Sequence, residues 1–125
     1  MADQESAKKA MVRRYLDGFR KMDHAQILSC LTDDIEWTVF GFFRLKGKEA
    51  YDAAIEGEGF TGLPRLTEIR LIEEDDTVMG ELAGEADRED GTIFRFISAE
   101  TFVFRGELIC ERRAFLTPLN ENDFK

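Results

Sequence analysis

The chain has 125 residues, 43% hydrophobic and 34% charged, a length and composition that suit one folded core and would leave two halves with too little interior each. A net charge of −9 and a pI near 4.7 set it against phosphate backbones and anionic lipid surfaces, so neither nucleic acid nor membrane is expected as a partner. No stretch approaches the ~18 apolar residues of a membrane span, and residues 1–9 lack the apolar centre of a secretory signal, which leaves a cytoplasmic location as the expectation.

Ser6 is placed to cap a first helix, whose apolar residues Met11, Val12, Tyr15, Leu16, Phe19 and Met22 recur at helical spacing. Asp23, followed three residues on by Gln26, resembles a capping box and predicts a short second helix through Ile27, Leu28 and Leu31, stopping near Thr32. Ile35, Trp37 and Val39 alternate with Glu36 and Thr38 as a first strand, extended by the aromatic run at residues 40–43. Gly47 opens a third helix with Ala50, Tyr51, Ala54 and Ile55 on one face, and Gly57 and Gly59 punctuate its end. Segments 66–72, 78–86, 92–104 and 108–116 then read as four long strands. Turn residues at Asp75-Asp76, Asp90-Gly91 and Arg105-Gly106 join them into an antiparallel meander. The class is α+β, one domain with its core at about residues 6–118.

With a single His, His24, and two separated cysteines, Cys30 and Cys110, the chain has little raw material for a metal site or a histidine-linked nucleophile. Neither metal nor cofactor is expected, the cysteines read as buried inert thiols, and any acid or base must be a carboxyl, a tyrosine or a lysine. The segment 92–104 is apolar on both faces. One parity carries Phe94, Phe96, Ser98, Glu100, Phe102 and Phe104, and the other Ile93, Ile97, Ala99, Thr101 and Val103. One face can pack on the helices, and the other is most simply covered by a second copy, so a homodimer through the outer sheet face is expected.

Glu100 is singular, a carboxyl among phenylalanines with Ser98 beside it. If it faces a closed interior, desolvation or a compensating cation must act on it, which makes it a candidate for a functional site. Alternatively an arginine neutralises it, or a bulge at Ser98-Ala99 turns it to water. Arg113 is the expected partner if the last two strands form a hairpin about Arg105-Gly106, with Arg112 pointing the other way, although alternation alone leaves open which arginine faces in. Tyr15 is the second polar candidate, on the buried face of the first helix, where a core role is the competing reading. Trp37, Val39, Phe96, Ser98, Phe102 and Phe115 are the candidate lining residues for a ligand.

The run from Arg14-Tyr15-Leu16 to Met22-Asp23, the segment Leu31-Thr32-Asp33-Asp34-Ile35-Glu36-Trp37, the stretch from Glu100 to Ile109 and the triplet Arg113-Ala114-Phe115 together resemble the nuclear transport factor 2-like superfamily, in particular its SnoaL-like and ketosteroid-isomerase-like members. That resemblance implies a cystatin-like cone, a curved sheet closed by three N-terminal helices around a mostly apolar pocket, and frequent homodimers. It also implies that Tyr15 and Glu100 fall where ketosteroid isomerase has its oxyanion-hole tyrosine and protonated aspartic acid, and that the base position falls on Val39. A valine shuttles no proton, so steroid isomerisation by that mechanism is not expected. The leading expectation is a pocket for a small, mainly apolar, oxygen-bearing molecule, with isomerase, cyclase or lyase chemistry from Glu100 as acid, Tyr15 as second donor and Arg113 as electrostatic tuner. A noncatalytic homodimeric binding or protein-interaction module is the alternative.

Overall fold

The computed structural model describes residues 5–120. Helix α1 (Ala7–Lys21) begins where the Ser6 side chain accepts the Lys9 N–H at 3.0 Å, and its buried stripe is Val12, Tyr15, Leu16 and Phe19. Helix α2 (His24–Leu28) is capped by Asp23, which accepts the Gln26 N–H at 3.0 Å. It is shorter than its sequence suggests. The Cys30 carbonyl is claimed by the Ile109 N–H at 2.8 Å, and Leu31 already lies in register with Ile109, so sheet pairing overrides helix continuation.

Strand β1 (Leu31–Val39) is followed by β2 (Phe43–Lys46), a short edge strand paired antiparallel to it, where the sequence showed only an extension of the aromatic run. Helix α3 (Lys48–Ala54) comes next, and then β3 (Phe60–Glu74), β4 (Thr77–Arg88), β5 (Ile93–Arg105) and β6 (Leu108–Leu119) form the meander. The sheet order is β2-β1-β6-β5-β4-β3, antiparallel throughout except where β1 runs parallel to β6. Register shifts at Thr61/Arg65 and Glu68/Arg70 between β3 and β4, and at Val103/Phe104 between β5 and β6, bend the strands and let the sheet curve around its helices. Among the described residues no helix is long and apolar enough to cross a membrane.

The helices cover one face. Tyr15, Leu16, Ile27, Leu31, Ile35, Tyr51, Val78, Phe102 and Ile109 are almost wholly removed from water, each such side chain contributing roughly 1.5–3 kcal/mol on burial. Arg13 on α1 closes over β3 through a bidentate pair with Glu68 at 2.9 Å. Between α2 and α3, His24 donates from Nδ1 to Asp52 and from Nε2 to Glu56, both at 2.5 Å. The bonds to Glu56 and then Asp52 raise its pKa, since only the imidazolium can donate from both nitrogens. His24 thus ties two helices together. Cys30 is buried, whereas Cys110 is only half-buried, which corrects the expectation of two interior thiols.

Candidate functional site

The inner parity of β5 sets the site. Phe96, Ser98, Glu100 and Phe102 alternate toward the helices while Ala99 and Thr101 face outward, so Glu100 is carried into the interior at 2% exposure. Opposite it on β4 stands Gly80, and Gly84 stands opposite Phe96. A Cβ at Gly84 would meet the Phe96 ring at 2.3 Å, so only a glycine there lets that ring lie flat on the strand.

The partner of Glu100 is Arg112, whose Nε donates to Oε1 at 2.7 Å, while the Ser98 hydroxyl donates to Oε2 at 2.9 Å. This corrects the expectation of Arg113. A tight hairpin about Arg105-Gly106 with Arg105 opposite Leu108 would place Arg113 across from Glu100 if the register ran on unbroken. The register instead shifts by one between Val103↔Glu111 and Phe104↔Ile109, leaving Cys110 as an extra residue. A one-residue bulge reverses the facing of everything beyond it. Glu100 therefore lies across from Ala114, and Arg112 turns inward. Arg113 faces the other way, 3.5 Å from Glu111 and over the Phe40 ring at 5.0 Å. The same shift moves Phe115 to the outer face, 46% exposed and stacked on Phe40, so it lines nothing inside.

Arg112 is held on several sides. Its guanidinium carbon lies 4.6 Å from the Trp37 ring centre, 5.3 Å from Tyr15 and 5.4 Å from Phe19, and Nη1 donates to the Tyr15 hydroxyl and, at 3.3 Å, to the Tyr51 hydroxyl. The two hydroxyls are hydrogen-bonded to each other. Burial raises the pKa of both tyrosines, Tyr15 strongly, so both remain neutral. For Arg112, burial pulls downward, but Glu100 and the two hydroxyls outweigh it and raise its pKa well above the ordinary range. The result is a hydrogen-bonded chain from Ser98 through Glu100 and Arg112 to the paired tyrosines.

A cavity of about 460 Å³ opens between this chain, α1, the end of α3 and the inner sheet face. Leu16, Phe19, Trp37, Val39, Phe96 and Leu116 supply apolar walls, Glu100 and Arg112 the polar end, and Glu56, Gly57 and Arg88 further lining. Of the candidate lining residues, Trp37, Val39 and Phe96 stand on the wall of this cavity. Ser98 and Phe102 do not. Ser98 is 2% exposed and bonded to Glu100, and Phe102 is fully buried with its ring against Tyr15 at 5.6 Å. Tyr15 is likewise fully buried, its hydroxyl spent on Arg112 and Tyr51 and not on the cavity. Two participants escaped the sequence reading, Arg112 because of the bulge and Tyr51 because a tyrosine on an apolar helix face carries no sign of its hydroxyl partner. Among the described residues no group of His, Cys, Asp and Glu is arranged to hold a metal ion.

A family model described as a SnoaL-like domain matches residues 12–112. No curated protein matches the chain in sequence. Among solved structures, an NTF2-like protein of unknown function from Burkholderia pseudomallei superposes with a TM-score of 0.81 at 16% identity, covering 90% of this chain and 92% of that one. An LEH-like epoxide hydrolase from Mycobacterium tuberculosis gives 0.77 at 18% identity over 89% of this chain and 82% of that one. A further M. tuberculosis protein, solved in complex with estradiol-17β-hemisuccinate, gives 0.78 at 15% identity over 94% and 97%. At such identities the likeness is one of fold, the helices-on-curved-sheet cone described above.

Proposed function

This chain belongs to the SnoaL-like domain family, and from that premise we propose that it binds a small, mainly apolar, oxygen-bearing molecule in the cavity between its helices and the inner sheet face. The observation that carries the reading is the cavity itself, about 460 Å³ of apolar wall with one polar end at Glu100 and Arg112, which is the composition of a small-molecule site. A steroid ester in the M. tuberculosis relative supports a ligand of this class. The epoxide hydrolase among the structural neighbours shows that the cone also hosts catalysts, but a shared fold assigns no chemistry. Here both oxygens of Glu100 are engaged, by Arg112 and by Ser98, so that carboxyl is committed to contacts within the protein rather than offered as a free acid. Binding is the reading the arrangement favours.

The test uses the neutral fluorophore N-phenyl-1-naphthylamine. A saturable one-to-one isotherm is expected, with a Kd on the order of 0.2 mM at ~0.3 kcal/mol per non-hydrogen atom. It should be abolished in Ala86→Trp, a half-buried wall position. Linear, unsaturable uptake, or equal binding by the variant, would remove the cavity as the site.

The outer sheet face supports a homodimer as part of the same proposal. Ile72, Met79 and Phe115 on that face are each more than two-fifths exposed, and Ala99, Thr101 and Val103 continue the apolar surface between them. Strands of one copy can bury this face against the same face of another. Sedimentation at micromolar concentration should give twice the 14.4 kDa chain mass, and a single-chain mass would refute the dimer.

A further inference from the structure

The polar end of the cavity holds donors that the protein leaves unused. Arg112 spends Nε on Glu100 and Nη1 on the two tyrosines, while Nη2 has no hydrogen-bond partner among the described residues, although the side chain lines the cavity at 12% exposure. Beneath the guanidinium, Trp37 carries an indole N–H that is buried and equally unpartnered, on a residue only 7% exposed that also lines the cavity. Buried donors without acceptors are rare and costly. The indole N–H is such a donor, and Nη2 of the neighbouring Arg112 is an unpartnered donor open to the apolar cavity, so together they ask for an oxygen brought in by something else.

The charge balance narrows the kind of oxygen. Arg112 is already neutralised by Glu100 at 2.7 Å, and the hydroxyls of Tyr15 and Tyr51 add no positive charge. A carboxylate or phosphate placed on Nη2 would sit close to the Glu100 carboxylate, whose repulsion cancels most of the guanidinium's attraction and leaves the desolvation of a second buried anion without compensation. Of the other charged lining residues, Glu56 is bonded to His24 and Arg88 lies over the Phe94 ring at 5.1 Å, and the chain as a whole is at −9. A neutral carbonyl oxygen avoids that cost, because it accepts from Nη2 while bringing no charge to desolvate.

Resting on the binding reading above, we infer that the cavity selects a neutral, mainly apolar molecule with a carbonyl-type acceptor oxygen at one end, that Arg112 Nη2 is its specificity-determining donor with Trp37 beside it, and that carboxylates of the same shape are rejected.

Three naphthalenes of nearly equal size separate the possibilities: 2-acetylnaphthalene, 2-isopropylnaphthalene and 2-naphthoate. On the wild-type protein 2-acetylnaphthalene should bind about tenfold more tightly than 2-naphthoate. In Arg112→Lys, which retains the charge beside Glu100 but not the guanidinium fork, the ketone should lose about tenfold while the hydrocarbon shifts by less than about twofold. A second readout needs no variant, since the carbonyl stretch of bound 2-acetylnaphthalene should lie at lower wavenumber than in an alkane solvent. Tighter binding of 2-naphthoate would overturn the inference in favour of an anion site. An unshifted carbonyl band, or equal losses for ketone and hydrocarbon in the lysine variant, would show that no donor engages the oxygen. Failure of all three compounds, the hydrocarbon included, would instead bring down the cavity reading on which the inference stands.

Discussion

Arg112→Met is expected to cost about 3–5 kcal/mol of unfolding free energy, because it strips the ion partner from a carboxylate that is 2% exposed and leaves it with the Ser98 hydroxyl alone. Two tyrosine hydroxyls lose their charged donor at the same time. The midpoint of urea denaturation measures the loss. Two companion variants make the result specific. Glu100→Leu combined with Arg112→Met removes both charges, and should recover most of what the single change lost, because the penalty of the single variant lies in the orphaned charge and not in a net gain from the pair. Arg113→Met, one residue away, should stay within ~0.5 kcal/mol of wild type, since Arg113 is 42% exposed and its partner Glu111 is 35% exposed. A larger loss in Arg113→Met than in Arg112→Met would mean that Arg113, and not Arg112, is the arginine that neutralises Glu100.

That contrast also shows where the sequence stops being informative. The first helix is legible because its signals are local: a serine cap and a 3.6-residue apolar stripe. The inward facing of Glu100 is legible because period-two alternation along β5 is local as well. Which arginine meets it depends on how two strands are aligned, and Arg105-Gly106 marks the turn without revealing that Cys110 is an extra residue four positions on. Nothing in the identity of a half-buried cysteine announces a bulge, yet that single insertion exchanges Arg112 for Arg113 and sends Phe115 to the outside. The edge strand β2 was hidden for a related reason. Its four residues are mostly exposed and are held by backbone pairing to β1, so no alternation of apolar and polar side chains is required of them. Helix α2 read too long because Leu31 satisfies a helical stripe and a strand equally well, and only the parallel pairing with Ile109 decides between them.

Phe102 provides the second large effect and separates core from wall. It is fully buried, its ring packs edge-on against Tyr15 at 5.6 Å, and it stands over Gly80, where a Cβ would come within 3.8 Å of it. Phe102→Ala is therefore expected to lose about 3–5 kcal/mol, the sum of a buried ring's transfer energy and an unfilled void. Because the ring lies behind Tyr15 and does not line the cavity, its influence on binding should be indirect. Phe102→Leu, a smaller change in volume, should be destabilised by less than the alanine variant and retain the N-phenyl-1-naphthylamine Kd within about twofold. Phe96→Leu is expected to do the opposite, because that half-buried ring lies on the cavity wall across from Gly84; its stability should change little and its Kd should change more. If instead Phe102→Leu abolished binding while the fold survived intact, the ring would have to be reached by the ligand, and the floor of the cavity would lie one layer deeper than the Arg112–Tyr15 contact now places it.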